Sequence, residues 1–74
     1  MSEELDARGL KCPLPVLKAR KALKTVTVGT VLTVLTTDPG APEDFAHFCR
    51  TTGNELIGTE HAAGHDRIAI RRLV

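Results

Sequence analysis

The first cysteine of the chain stands in a setting that could give its thiol a chemical role. Cys12 follows a flexible position at Gly9 and precedes Pro13 and Pro15, which are spaced to open a helix. Unpaired amides at a helix start carry partial positive charge, which favours the thiolate, the reactive form of cysteine. The prolines restrict the backbone and would hold the sulfur in a fixed direction. This pattern predicts an exposed thiol of lowered pKa, suited to sulfur exchange.

A structural role for Cys12 competes with the reactive one. Cysteine is often a compact buried residue, and closely spaced prolines often mark only the edge of an element. Lys11 and Arg8 lie close in sequence and could lower the pKa of the thiol further. The sequence places no histidine beside Cys12 to act as its base, so a hydrolase is not predicted. The residues alone leave a reactive and a structural thiol both open.

Composition limits the classes of function. The chain has 74 residues, of which 42% are hydrophobic, with two phenylalanines and no tryptophan or tyrosine. One small domain leaves little interior for a large enclosed active site. With so few aromatic side chains, recognition of nucleic-acid bases by stacking is not expected. Ten basic and nine acidic residues give a formal charge of +1, so broad binding to nucleic acid or membrane is not expected. We expect a cytoplasmic monomer without leader or membrane segment, its two cysteines reduced.

The hydrophobic pattern predicts a small α+β fold. In chain order it indicates a strand over 4–8, a helix over 13–24, a strand over 31–37, a helix ending at Gly53, and strands over 56–60 and 67–73. Two helices and four strands share one core in so short a chain only if both helices lie on the same sheet face. We therefore predict residues 1–74 as a single two-layer α/β sandwich of order β-α-β-α-β-β. Its mixed four-stranded sheet should have parallel first strands and an antiparallel final hairpin.

The other side chains that could react or bind a metal are explained by structural roles. Cys49 shares an apolar helical stripe with Phe45 and Phe48, so we expect it in the core. Three histidines, together with the two cysteines, include the ligand types of a zinc site: His47, His61 and His65. The cysteines are far apart, and His61 and His65 fall in an apparent hairpin turn, so no metal site is predicted.

Several stretches together resemble one family. They are "LDARGLKCPLPVLKARKAL", "TDPG", "DFAHFC" and "TGNEL", in that order. They are similar to the TusA-type sulfur carrier family, whose hallmark is a Cys-Pro-x-Pro motif. The likeness runs from Leu5 to the final strand. It implies the fold given above and a cysteine that receives sulfane sulfur, carries it as a persulfide and passes it on.

The resemblance assigns roles residue by residue. Cys12 would carry the persulfide, Pro13 and Pro15 match the prolines of the motif, and Asp38 matches the acidic residue of its Asp-Pro turn. No cofactor is implied. The implied partners are a donor protein, either a cysteine desulfurase or a rhodanese-like enzyme, and an acceptor protein in tRNA thiolation, cofactor biosynthesis or oxidative sulfur metabolism. We add Lys11 and Arg20 as candidate docking residues because of the basic character of this region, and the resemblance suggests Asp38 as a candidate for docking or transfer.

Two other classes of function remain open on the sequence. One is a regulatory module that binds protein or RNA and uses Cys12 only structurally. The other is a small redox or metal-handling protein, which requires Cys12 and Cys49 to lie close enough for a disulfide.

Overall fold

The computed structural model describes residues 2–74. Its elements follow the predicted order: β1 (Ser2–Asp6), α1 (Leu14–Leu23), β2 (Val31–Thr36), α2 (Ala41–Thr52), β3 (Glu55–Ala62) and β4 (His65–Arg71). Met1, which the predicted domain includes, lies outside the described residues.

The four strands form one mixed sheet of order β1-β2-β4-β3. β1 and β2 are parallel, whereas β4 runs antiparallel to both β2 and β3. The predicted mixed sheet, its parallel first pair and its closing antiparallel hairpin are therefore confirmed. β2 occupies an interior place, consistent with its run of β-branched and apolar residues.

The core lies between the sheet and the two helices. Register pairs Leu32 with Ile70 and Val34 with Ile68, so these four side chains point to the same face. They form one buried cluster with apolar residues of both helices: Ala19, Leu23, Ala41, Phe45, Phe48 and Cys49. Both helices therefore cover this face of the sheet, as predicted.

The first helix begins one residue later than the sequence indicated. Pro13 is the N-cap, Leu14 is the first helical residue and Pro15 is the second. Proline is tolerated there because the first four amides of a helix have no acceptor within it. The Cys12–Pro13 peptide bond is cis. Cys12 thus lies directly before the N-cap.

The helical spacing of α1 in the sequence predicts an apolar face of Val16, Leu17, Ala19 and Leu23, which Leu14 could also join. Ala19 and Leu23 are buried as expected, but Leu14 is 49% exposed and Leu17 is 52% exposed. Pro15 and the half-buried Val16 take the inward positions of the first turn. Val16 therefore faces inward as predicted, whereas Leu17 and Leu14 lie on the surface.

The second helix and the final hairpin follow their turn residues. Gly53 ends α2 with a positive φ of 84°, and its amide donates to the Cys49 carbonyl. β3 and β4 meet in a two-residue turn at Ala63 and Gly64, so both strands reach closer to the turn than predicted, and β4 ends at Arg71 instead of at residue 73. A bulge between Leu56 and Gly58 interrupts the pairing of β3 with β4.

Candidate functional site

Cys12 lies in the loop between β1 and α1, on a tightly hydrogen-bonded backbone. The Leu14 amide donates to the Lys11 carbonyl at 2.8 Å, closing a turn around the cysteine. Gly9 has a φ of 82°, a conformation that favours glycine, and its amide donates to Thr37 Oγ1 at 2.9 Å. This bond ties the cysteine loop to the loop that follows β2. The Cys12 side chain itself is exposed.

Two carboxylates lie beside the Cys12 sulfur. The thiol donates a hydrogen bond to Asp44 Oδ2, a partner 32 residues away in the first turns of α2. Asp38 lies just before α2, where its Oδ2 accepts the Gly40 amide at 3.1 Å. Cys12 Sγ and a carboxylate oxygen of each aspartate all lie within 4.8 Å of one another. The sulfur therefore lies where both helices begin.

The electrostatic setting of Cys12 corrects the prediction of a lowered pKa. The Asp44 hydrogen bond, partial desolvation, and the charges of Asp44 and Asp38 all raise the pKa of the thiol above its ordinary value. The physical reason is that a nearby negative charge disfavours a second one, and a hydrogen bond donated by the neutral thiol stabilises the neutral form. The partial positive charge of a helix falls off within its first turn, and Cys12 lies before the N-cap.

The cation expected to help Cys12 on its N-terminal side is engaged elsewhere. Arg8 Nε donates to Asp6 Oδ1 at 2.9 Å, and a second guanidinium nitrogen donates to Asp6 Oδ2 at 3.1 Å. This pairing lowers the pKa of Asp6 to about 2. Arg8 therefore does not offset the carboxylates beside the thiol.

The candidate docking residues lie at different distances from the sulfur. Lys11 is next to Cys12 and exposed, and Asp38 lies beside the thiol. Arg20 is in the last turn of α1, six residues after its first residue Leu14, or about 9 Å along the helix axis at a rise of 1.5 Å per residue. It borders a separate cleft with Lys24, Phe48 and other residues. The structure groups Lys11 and Asp38 with Cys12 and places Arg20 apart.

An exposed apolar surface beside Cys12 was not foreseen from the sequence. We define the leucine patch as Leu10, Leu14 and Leu17, which line a shallow depression together with Lys18 and Lys21. Leu10 and Leu14 are each two residues from Cys12. The apolar spacing of α1 groups Leu17 with the core residues Ala19 and Leu23, so the sequence pattern does not indicate this patch.

Cys49 lies in the core, as predicted. Its side chain is 4% exposed, and burial raises the pKa of its thiol. Both cysteines are free thiols. A resolving role in redox chemistry would require a sulfur that other molecules reach, and the position of Cys49 does not provide one.

The histidines of the final hairpin do not converge on one metal site. His61 pairs with Asp66 across the strands, so these two side chains share a face, and His61 Nδ1 is 2.5 Å from Asp66 Oδ1. His65 is adjacent to Asp66 in β4 and points to the opposite face. Both histidines lie on strands, not in the turn as predicted. The three ligand atoms at Cys12, Asp38 and Asp44 are close enough to share an ion, but acidic groups commonly converge without one.

Comparison with known proteins identifies the family. The model of the family described as Sulfurtransferase TusA matches residues 3–72. The chain belongs to the TusA family. This membership, which the sequence resemblance indicated, places the chain among sulfurtransferases and sulfur carriers.

Several known proteins are similar to this chain over most of its length. Sulfur carrier protein TusA of Allochromatium vinosum is 46% identical over 70 residues, covering 95% of this chain and 92% of that protein. A protein of Neisseria meningitidis serogroup A, named as a candidate sulfur carrier, is 57% identical over 63 residues, or 85% of each chain. The crystal structure of a SirA-like protein from Desulfitobacterium hafniense has a TM-score of 0.76 and 28% identity, covering 97% of this chain and 99% of that one.

The described part of the chain also bears on membrane association. Within residues 2–74, no helix is both long enough and apolar enough to cross a bilayer.

Proposed function

We propose that the protein is a sulfur carrier that accepts sulfane sulfur as a persulfide on Cys12 and passes it to a partner protein. The observation that carries the proposal is an exposed thiol on a hydrogen-bonded turn, in a chain of the TusA family. The cysteine with the matching motif is accessible, while the other cysteine is in the core. A structural role for Cys12 has less support, because an exposed side chain adds little to packing.

The transfer needs no cofactor. Cys12 Sγ attacks the outer sulfur of a donor persulfide, the new Sγ–S bond forms, and the S–S bond of the donor breaks. The inner sulfur of the donor leaves as a thiolate, and the Cys12 thiol loses its proton in the reaction. Delivery is the same reaction in the other direction, in which an acceptor thiolate attacks the outer sulfur and Cys12 becomes the leaving group. In both steps the outer sulfur atom moves from one cysteine to another without an external oxidant or reductant.

The surface around Cys12 is where we place contact with partners. Lys11 is adjacent to Cys12 in the chain and Asp38 lies beside the sulfur, so charges of both signs are close to it, and the nearby leucine patch provides exposed apolar area. A donor such as a cysteine desulfurase or a rhodanese-like enzyme would cover these residues while its persulfide reaches Cys12. Arg20 belongs to this surface only if the partner extends along α1. We assign the carrier to the cytoplasm, where thiols stay reduced.

Intact-mass measurement after sulfur loading tests the proposal. The protein is incubated with a cysteine desulfurase and cysteine, or with a rhodanese and thiosulfate, and should gain the mass of one sulfur atom. A Cys12→Ser variant should gain none, whereas the matched Cys49→Ser variant should load as the unmodified chain does. Absence of the added sulfur with both donors, or its persistence in Cys12→Ser, overturns the assignment to Cys12.

Charge-reversal variants in the same assay test the docking residues. Lys11→Glu should slow loading by an enzyme donor at low ionic strength, because a charge at an interface mainly changes the association rate. Arg20→Glu should slow loading only if the donor's contact surface extends along α1, and should have no effect if the donor contacts only the residues around Cys12. Loading rates that are the same as those of the unmodified chain remove the substituted residue from the docking surface.

A further inference from the structure

Asp44 is the side chain in direct contact with the Cys12 sulfur, and no role has been assigned to it. Its Oδ2 accepts the thiol hydrogen bond. Within residues 2–74, the Asp44 carboxylate forms no other side-chain hydrogen bond or ion pair, and the residue is only partly buried. A carboxylate that touches a reacting thiol and has no other partner meets the geometric requirement for a general base.

Asp38 has a different arrangement, although it also lies beside the sulfur. Its Oδ2 accepts the Gly40 amide, and its carbonyl accepts the Ala41 amide, so it shapes the start of α2. It influences the Cys12 thiol through charge and not through a hydrogen bond. Of the two aspartates, Asp44 is the one positioned to exchange a proton with Cys12.

Building on the proposed carrier function, we propose that Asp44 is a catalytic residue that accepts the Cys12 proton during sulfur receipt from a persulfide. As Sγ attacks the outer sulfur of the donor, the thiol proton moves to Asp44 Oδ2, the Sγ–S bond forms and the donor S–S bond breaks. Cys12 then carries the persulfide, Asp44 is a neutral carboxylic acid, and the donor leaves as a thiolate. Asp44 releases its proton to water, and the departing thiolate takes one from water.

This step explains how Cys12 can react although its thiol is accessible but mostly in the unreactive, protonated form. The two aspartates raise the pKa of the thiol, and no cation among the described residues opposes them. Arg8 is bound to Asp6, and Lys11 forms no ion pair within residues 2–74. A free thiolate is therefore scarce near neutral pH, and a route in which the proton leaves during the attack avoids forming it first.

The pH dependence of sulfur receipt distinguishes a proton acceptor from a structural contact. The probe is glutathione persulfide, a small donor that needs no docking surface, and loading is followed by intact mass between pH 6 and pH 9. Asp44→Asn keeps the shape of the side chain but cannot accept the proton. Glu43→Gln, one residue earlier and exposed, is the matched control for loss of one negative charge from the start of α2.

We expect Asp44→Asn to load about 10²-fold more slowly than the unmodified chain at pH 6, the lower end of the usual range for general-base catalysis. The ratio of the two rates should shrink towards one as pH rises, because free thiolate then forms without a base. Taking the ratio cancels ionisation of the donor. Glu43→Gln should follow the unmodified chain throughout. A ratio that does not change with pH, or an Asp44→Asn variant that loads as fast at pH 6, overturns the proposal.

A second measurement separates failure of this proposal from failure of the carrier function. Ultraviolet absorbance of the thiolate, recorded in a Cys49→Ser background, reports Cys12 ionisation without any sulfur donor. The thiol of Asp44→Asn should titrate at lower pH than that of the unmodified chain, and an unchanged titration overturns the contact on which the proposal rests. If the titration shifts but the loading ratio stays flat, the carrier function stands and the catalytic role falls. A chain that gains no sulfur from any donor overturns both.

Discussion

The two thiols of the chain should differ greatly in their rate of alkylation under native conditions. Cys12 is exposed, whereas Cys49 is 4% exposed within the core cluster. Iodoacetamide reaches Cys12 directly but reaches Cys49 only after the structure opens. Because α2 packs its buried face into the core, we expect that opening to approach global unfolding in its free energy.

The size of the difference follows from the stability expected of a domain of this length. At about 0.05–0.15 kcal/mol per residue, 74 residues correspond to about 4–11 kcal/mol of unfolding free energy. Each 1.4 kcal/mol is roughly a factor of ten in an equilibrium constant. Cys49 should therefore be alkylated at least about 10³-fold more slowly than in the unfolded chain, while Cys12 lacks this protection.

A core variant tests whether opening controls Cys49. Ile68 is fully buried, and Ile68→Val should cost about 0.5–1.5 kcal/mol. Alkylation of Cys49 should then accelerate roughly two- to twelve-fold, whereas alkylation of Cys12 should not change. Peptide mass spectrometry after timed quenching gives both rates in one sample. Equal native rates for the two cysteines, or acceleration of Cys12 in Ile68→Val, would refute the distinction between an exposed and a core thiol.

Two further predictions concern the fold and its titration. Gly53→Ala should lower the unfolding free energy by about 1–2 kcal/mol, because the φ of 84° at this position is strained for alanine. The control is Gly58→Ala, which should change the unfolding free energy by less than about 0.5 kcal/mol, because Gly58 has no positive φ and an added Cβ would meet no atom within 4 Å. Urea denaturation measures both, and equal losses would contradict the conformational reason. Arg8→Ala should return the pKa of Asp6 from about 2 towards 3.8, as followed by the carboxyl carbon in an NMR titration. Because the folded pKa of Asp6 is depressed, the pair stabilises the fold above about pH 4 and loses that effect as pH falls through about 2; an unchanged midpoint in Arg8→Ala would exclude Arg8 as the cause.

The order of elements could be predicted because it depends on local patterns. Helical spacing of Phe45, Phe48 and Cys49 and the turn residue at Gly53 mark α2 without knowledge of its neighbours. The exposed Leu14 and Leu17 show the limit of this reasoning. Apolar residue type alone does not reveal which face of a helix meets the sheet, and here Pro15, which the predicted face did not include, is buried instead. The fold was therefore predicted more completely than the surface that the helix presents.

The candidate site could be predicted only in part, because its chemistry depends on tertiary contacts. The prediction of an exposed Cys12 used local information and is confirmed, but its Asp44 partner is 32 residues away. Asp44 is the first residue of the stretch "DFAHFC", which contributed to the family resemblance without being given a role. The predicted direction of the thiol pKa was wrong because a helix start was considered without the acidic residues that fold against it.

The geometry at Cys12 separates access to the sulfur from control of its proton. The loop between β1 and α1 exposes the thiol, and the hydrogen bond from Gly9 to Thr37 ties that loop to the one between β2 and α2. The first turns of α2 then supply Asp44, whose contact favours the neutral thiol. A helix dipole acts weakly on a residue outside its first turn, whereas a carboxylate in hydrogen-bond contact acts directly, so the carboxylate decides the resting state. The contacts of the exposed Cys12 thiol with the start of α2 therefore favour its neutral form.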